Sequence, residues 1–472
     1  MPATLKPFVF LVLFLATLLG VQLGGRGLNE PDEGRYTNIA GDMLEPGTSL
    51  MEPRMSNLGH YDKPPLIYWA TAGSFHLFGM NETAARLPSV LGALLTLAGL
   101  GWAAFRLYGQ RTAWVALLIA GTSLQFWVLA RFLTPDMFLT GWITLAIAAW
   151  VETRHRGGSW AWWALQLLFW TLAWWTKATP MLIPFLGLTL YSLSRVESRR
   201  ALRPLRLLLG AILLGSPWFI WMMIQHPELK DFFLHREMAG RMTGHVDGRK
   251  GPVYYYLLIS LIAWLPWWPW AAQQAWKRLR FRGTTAAEWS RRLGPEGWIL
   301  ATGLVVFSLI SSKLPTYTLP LIPWAALLMA RTLRDAGTRS LATVAGCAGA
   351  AYLAATLVVP HYEASLGRNS SMRPVTAVLR DQGAVVIHTN RYWPGLEFYW
   401  GNAVRYTKVR VPLQVHDGTS SPEDHFEDSF TPGPGHWFIH YRKQNTSPYD
   451  KWLKDPSIPK TTVGDFIIGP LR

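Results

Sequence analysis

GGSWAWWALQLLFWTLAWWT, residues 157–176, runs for twenty positions without a charged side chain. Arg154 and Arg156 stand before it and Lys177 directly after it. At 1.5 Å per residue, a helix of about 20 such residues covers the ~30 Å hydrocarbon layer of a bilayer. The pattern recurs. Further charge-free runs fall at 7–25, 87–105, 112–130, 137–151, 178–194, 207–225, 251–276, 297–312, 314–330 and 340–360, giving eleven candidate spans. A twelfth run, 64–81, opens on Pro64-Pro65 and reads as a segment lying along the membrane interface. Composition agrees: 50% of the 472 residues are apolar and 16% charged, with 26 tryptophans. A soluble domain carries roughly a quarter charged residues. The reading is an all-α polytopic membrane protein of about eleven transmembrane helices. The run at 7–25 is not followed by a small-x-small cleavage site and reads as an uncleaved first span.

The net charge of +16 is a topology signal. With the N-terminus inside, the cytoplasmic loops hold 19 bases and five acids, whereas the outer segments before residue 361 hold 13 of each. Basic residues concentrate on the cytoplasmic side of membrane proteins. The charge therefore argues against a nucleic-acid partner. Cys347 is the single cysteine, so neither a disulfide within the chain nor a cysteine zinc cluster is available. From about residue 361 the pattern changes. AVVIHT (384–389), HWFIHY (436–441) and DFIIG (465–469) are short β-like runs between Pro, Gly and Asp residues. Two regions are expected: a transmembrane domain over 1–360, with long outer segments at 26–86 and 226–251, and a small extracytoplasmic α/β domain over 361–472.

The outer segments carry the unusual residues. DEGRY (32–36) follows the first span, YDKPPLIYW (61–69) and RLPS (86–89) complete the first long segment, and TPDM (134–137) and TKATP (176–180) are tight turns. EMAGR (237–241) and GPVYYYL (251–257) lie in the second long segment, and SSKLPTYTLP (311–320) closes the series. Charged groups beside lipid are costly and mark function, although a charge at a helix end also serves as an interfacial anchor, and Arg86, Arg131 and Lys177 admit that reading equally. The carboxylates Asp32, Glu33 and Asp136 are candidates for acid–base work. The cations Arg35, Lys63, Arg241, Lys177 and Lys313 suit a phosphate. Tyr36, Tyr61, Glu237 and Tyr317 are candidate sugar or acceptor contacts. Asp62 with His235 or His245 is a candidate for a divalent metal, though no HxxxH or HExxH spacing accompanies it.

In order and spacing these motifs resemble the GT-C membrane glycosyltransferases, in particular the bacterial lipid A aminoarabinose transferases and the related protein O-mannosyltransferases. The resemblance runs through about residues 28–330. It implies a GT-C fold in the bacterial inner membrane and a sugar donor linked to undecaprenyl or another polyprenyl phosphate. It also implies transfer on the extracytoplasmic face to lipid A, another envelope glycan or a protein hydroxyl. Under it, Asp32 is the catalytic carboxylate, Arg35, Lys63 and Arg241 contact the carrier phosphate, and Asp62 stands where the aminoarabinose enzymes carry a metal-binding glutamate. The expected chemistry is inverting attack on the anomeric carbon. No GxGxxG fingerprint of a nucleotide site is present. A transporter would hold its ionisable groups near the membrane midplane on broken helices, whereas here they gather at the ends of the spans.

Overall fold

The computed structural model describes residues 5–55, 58–233, 251–279, 293–389, 391–401, 403–406, 433–443 and 450–471. The chain packs as two compact units: residues 1–21 with 88–353, and residues 22–87 with 354–472.

The first unit is helical, and each of the eleven charge-free runs is largely helical. Leu5–Gly20, Pro135–His155, Pro295–Leu309 and Thr338–Val358 each follow one run. Others are broken: Gln110–Gly121 and Leu124–Ala130 meet at a 66° bend. Two adjacent runs join in Trp160–Leu193, where Lys177 is the extended residue (φ −165°, ψ 94°) that interrupts the helix. Pro180 supplies the reason. It has no N–H to offer the carbonyl of Thr176, four residues back, so the hydrogen-bond ladder fails there. Among the described residues, three helical stretches are long and apolar enough to cross a membrane, Glu82–Tyr108, Val196–Gln225 and Thr338–Ser365, or four with the bent pair.

Tryptophan fills the interior of this unit: Trp150, Trp170, Trp267 and Trp324 are fully buried. The Glu82–Tyr108 and Pro135–His155 helices approach through glycine. A Cβ on Gly92 would lie 2.8 Å from the backbone of Met137 and Phe138, and one on Gly141 would lie 2.8 Å from the carbonyl oxygen of Gly92. Small residues let helix backbones approach this closely. The contact fixes the first turn of Pro135–His155, which carries Asp136.

The second unit begins with the Asp32–Asp42 helix, a two-residue hairpin (β1, Arg54–Met55; β2, Leu58–Gly59) and the Leu66–Phe78 helix. The run at 64–81 is thus helical from Leu66 onward. Its C-terminal part is a five-stranded sheet of β3 (Val386–Thr389), β4 (Val404–Tyr406), β5 (His436–Tyr441), β6 (Thr461–Val463) and β7 (Phe466–Pro470), in the order β4-β3-β5-β7-β6. Strand β3 is parallel to β4 and β5, and β7 is antiparallel to β5 and β6. Three of these strands fall on the three β-like runs of the sequence. Phe438, Trp452 and Leu471 form a small core against the sheet, and the Arg373–Asp381 and Pro394–Trp400 helices belong to the same region.

Candidate active site

Among the described candidate residues, seven lie in the second unit and four in the first. Asp32 opens its helix, where a negative charge is favoured by the helix dipole. One turn on, Arg35 Nη2 lies 2.5 Å from Asp32 Oδ1. The carboxylate is 47% exposed and the guanidinium 18%. Arg35 also stands 5.5 Å from the centre of the Tyr36 ring, and Tyr36 stacks on Tyr68 at 5.7 Å. Burial pushes the Tyr36 phenol up to about 12, so it is a neutral hydrogen-bonding group at physiological pH.

Asp62 is buried, with Lys63 Nζ at 2.6 Å and His60 Nε2 at 3.0 Å. Burial opposes its charge. Lys63, His60 and Arg35 together outweigh that effect and hold the carboxyl well below its ordinary range. The Asp32–Arg35 and His60–Asp62–Lys63 groups are therefore electrostatically coupled through Arg35. Tyr61, between His60 and Asp62, is buried with its ring against Gly59.

Glu33 has a different setting. Arg86 grips both its oxygens, Nε to Oε1 and Nη2 to Oε2, each at 2.8 Å. Arg26 Nη1 lies 2.7 Å from Oε2, and the Asn29 N–H donates to the same oxygen at 3.0 Å. Arg86 further donates to the carbonyls of Leu23, Arg26 and Gly27. Burial disfavours the Glu33 charge, but Arg26, Arg86 and the Asn29 N–H reverse this and draw its pKa down to about 2.

In the first unit, Lys177 Nζ donates to Asp136 Oδ1 at 2.7 Å and sits 5.1 Å from the centre of the Tyr317 ring. Lys313 is spent differently. Its ammonium donates to the carbonyls of Phe307 (2.9 Å) and Ser308 (2.7 Å) at the end of the Pro295–Leu309 helix, 5.1 Å from the Tyr256 ring. Arg131 donates to the carbonyls of Leu18 and Leu19. An apolar groove of about 310 Å³, lined by Val253, Leu257, Leu304, Val305, Ser308 and Leu309, lies in the same unit. Glu237, Arg241, His235 and His245 fall outside the described residues.

The sequence offers His235 or His245 as the histidine partner of Asp62, and both lie outside the described residues; among the described residues, His60 meets Asp62. His60 and Asp62 stand only two residues apart in the sequence, just after β2. Of the candidate metal ligands, only Asp62 lies among the described residues, where it is joined by His60. Among the described residues no group of three or more His, Cys, Asp or Glu side chains could hold an ion. His60 and Asp62 offer two donors where a zinc site uses three or four protein ligands, and Lys63 competes for the Asp62 carboxylate.

A family model for dolichyl-phosphate-mannose-protein mannosyltransferase matches residues 62–221. The undecaprenyl phosphate-alpha-4-amino-4-deoxy-L-arabinose arabinosyl transferase of Edwardsiella ictaluri is 32% identical over 336 residues, covering 68% of this chain and 58% of that protein. The corresponding enzyme of Erwinia tasmaniensis is 30% identical over 341 residues, covering 70% and 60%. The match thus spans less than two thirds of the length of these relatives. The crystal structure of ArnT from Cupriavidus metallidurans bound to undecaprenyl phosphate superposes with a TM-score of 0.78 over 99% of this chain and 98% of that one, at 22% identity. The chain resembles the aminoarabinose transferases in sequence and shares the ArnT fold. The small C-terminal sheet belongs to that fold, since the superposition extends over nearly the whole of both chains.

Proposed function

We propose that the chain is a multi-pass inner-membrane glycosyltransferase. On this reading it moves a sugar from a polyprenyl phosphate, undecaprenyl phosphate in the first instance, to an envelope acceptor such as lipid A. The observation that carries the reading is the coupled Asp32–Arg35 and His60–Asp62–Lys63 cluster, in which Arg35 stands beside the half-exposed Asp32 carboxylate and Lys63 beside the buried Asp62. A polyprenyl phosphate leaves as an anion. Arg35 and Lys63, with Arg241 outside the described residues, stabilise the charge that develops as the sugar–phosphate bond breaks, and preorganised charge of this kind is a major source of rate. Asp62 keeps Lys63 and Arg35 in place while its own charge is held by three neighbours. Asp32 meets the acceptor on the opposite face. It acts as general base toward a hydroxyl, and toward a phosphate acceptor, already ionised, it positions the nucleophile. Tyr36 supplies a neutral phenol to the sugar.

The reading keeps the eleven-span topology, with the N-terminus cytoplasmic and residues 361–472 on the outer side, because the loop-charge asymmetry supports it. Asp136 and Lys177 form a buried supporting pair, and Lys313 serves as a helix cap rather than a phosphate ligand. The apolar groove matches the chemistry of an isoprenoid chain. A second reading, sugar transfer to a protein hydroxyl, is favoured by the mannosyltransferase match over residues 62–221. One experiment covers both. Purified protein in detergent receives undecaprenyl-phosphate aminoarabinose, with lipid A or a Ser/Thr-rich peptide as acceptor, and products are read by mass spectrometry. Lipid A modified by one pentosyl unit is the expected result. Modified peptide alone would select the second reading, and no transfer from any polyprenyl-phosphate sugar would defeat both.

A further inference from the structure

Glu30 lies two residues before Asp32 and takes no part in the chemistry above, yet its carboxyl is buried, with 3% of the residue exposed. Its Oε1 accepts a 2.6 Å hydrogen bond from the N–H of Gly395, in the first turn of the Pro394–Trp400 helix. Its Oε2 is buried and has no hydrogen-bond partner among the described residues. The Asp32–Asp42 and Pro394–Trp400 helices are pressed together at this point. A Cβ on Gly34 would fall 2.5 Å from the Gly395 nitrogen and 2.8 Å from Glu30 Oε2. The glycine of DEGRY is therefore required by close backbone approach, not by turn geometry. Asn38, one turn further along, donates to the Pro394 carbonyl and the Glu397 carboxylate. The segment that carries Asp32 and Arg35 is thus fastened to a helix more than 350 residues away in the chain.

We propose that Glu30 is a positioning residue for the Asp32–Arg35 pair, acting by fastening the start of the Asp32–Asp42 helix to the Pro394–Trp400 helix of the C-terminal region. The C-terminal region is then a working part of the catalytic apparatus and not only an appended domain. The proposal rests on the functional reading above. Its physical basis is placement: a misplacement of about 1 Å in a reacting group costs about a hundredfold in rate.

The fastener also has a proton condition. Burial raises the Glu30 pKa to about 8, against the opposing pull of the Gly395 N–H and the Arg391 charge, while Asp32 and Glu397 add to the rise. These are the charged groups that face it: Asp32 from its own segment, Arg391 and Glu397 from the Pro394–Trp400 side. Near neutral pH Glu30 is protonated and fits beside Asp32. Above about pH 8 it acquires a charge next to Asp32 in a buried setting, which loosens the fastening.

The test uses the full-length protein and its undecaprenyl-phosphate sugar assay, with donor KM and kcat measured from about pH 6 to pH 9.5. The parent is expected to lose kcat as the pH rises through about 8. Glu30→Ala should lower kcat between about tenfold and a hundredfold with little change in donor KM. Glu30→Gln, which keeps the acceptor oxygen but cannot ionise, should recover most of that loss and should lack the alkaline fall. A parent-like kcat in Glu30→Ala, or an unchanged alkaline fall in Glu30→Gln, overturns the proposal while leaving the glycosyltransferase reading intact. A parent protein that transfers no sugar removes the reading and the proposal together. If Glu30→Ala fails to fold, the pH profile of Glu30→Gln decides alone.

Discussion

Asp32 and Glu33 are neighbours in the chain and opposites in setting. Asp32 is 47% exposed and touches one guanidinium, whereas the Glu33 side chain is 0% exposed and shares its two oxygens among Arg86, Arg26 and a backbone N–H. The difference follows from helical geometry. Successive side chains on a helix are about 100° apart, so an acidic pair at a helix start cannot send both members to one place. One carboxylate builds the local architecture and the other stays half exposed beside a single guanidinium. The same division holds among the cations. Arg86 is consumed by Glu33 and three carbonyls, while Arg35 lies between Asp32 and the field of Asp62.

The comparison breaks first at the brace. Removing one partner of a buried charge pair costs about 3–5 kcal/mol, because the other is left buried without full compensation. Arg86→Ala is therefore expected to destabilise the protein by that amount, read from thermal or denaturant unfolding in detergent. The brace also has a pH signature. The folded-state pKa of Glu33, about 2, lies below its ordinary value of 4.5. Its contribution is fully present above about pH 4.5 and is lost as the pH falls toward 2. The parent should lose stability across that interval more steeply than Arg86→Ala. Equal stability of the two proteins at neutral pH would remove Glu33 and Arg86 from the brace.

Next in size is Asp32→Asn. The side chain is half exposed and outside any core, so the fold should be unaffected. Sugar transfer to a hydroxyl acceptor should fall by about two orders of magnitude or more, the range of general-base removal. Together the two variants separate the neighbours: one loses stability and the other loses turnover. A folded Asp32→Asn protein with parental turnover would move the base to Asp136 or Glu237.

Much of this was legible in the sequence. All eleven apolar runs are largely helical and three short β-like runs contain strands, because both signals are local and periodic. Arg35 of the motif at 32–36 lies in the field of Asp62 of the motif at 61–63. What stayed hidden depends on partners distant in the chain. Nothing near Glu33 announces Arg86, 53 residues away. Nothing near Gly34 announces Gly395, whose backbone leaves no room for a side chain. Lys313 was unreadable for another reason. Its partners are backbone carbonyls, which every residue possesses, so a helix-capping lysine and a phosphate-binding lysine look alike in sequence.

Lys313 gives the smallest effect and the sharpest check on that last distinction. Its ammonium caps the carbonyls of Phe307 and Ser308 and faces the Tyr256 ring. A cation at a helix C-terminus contributes about 0.3–1 kcal/mol. Lys313→Gln removes the charge and keeps a hydrogen-bond donor, so the expected loss of stability is of that order. Arg35→Ala and Lys63→Ala should behave differently. On the proposed reading each would remove a charged hydrogen bond to the donor phosphate, worth roughly 1.5–3 kcal/mol or about ten- to a hundredfold in affinity. Titrating undecaprenyl phosphate into the three variants makes the comparison direct, with Lys313→Gln expected to bind within about threefold of the parent. If it instead weakens binding tenfold, as Arg35→Ala should, Lys313 leaves its carbonyls for the phosphate when the carrier binds. The Pro295–Leu309 helix would then lose its cap at the moment the site is filled.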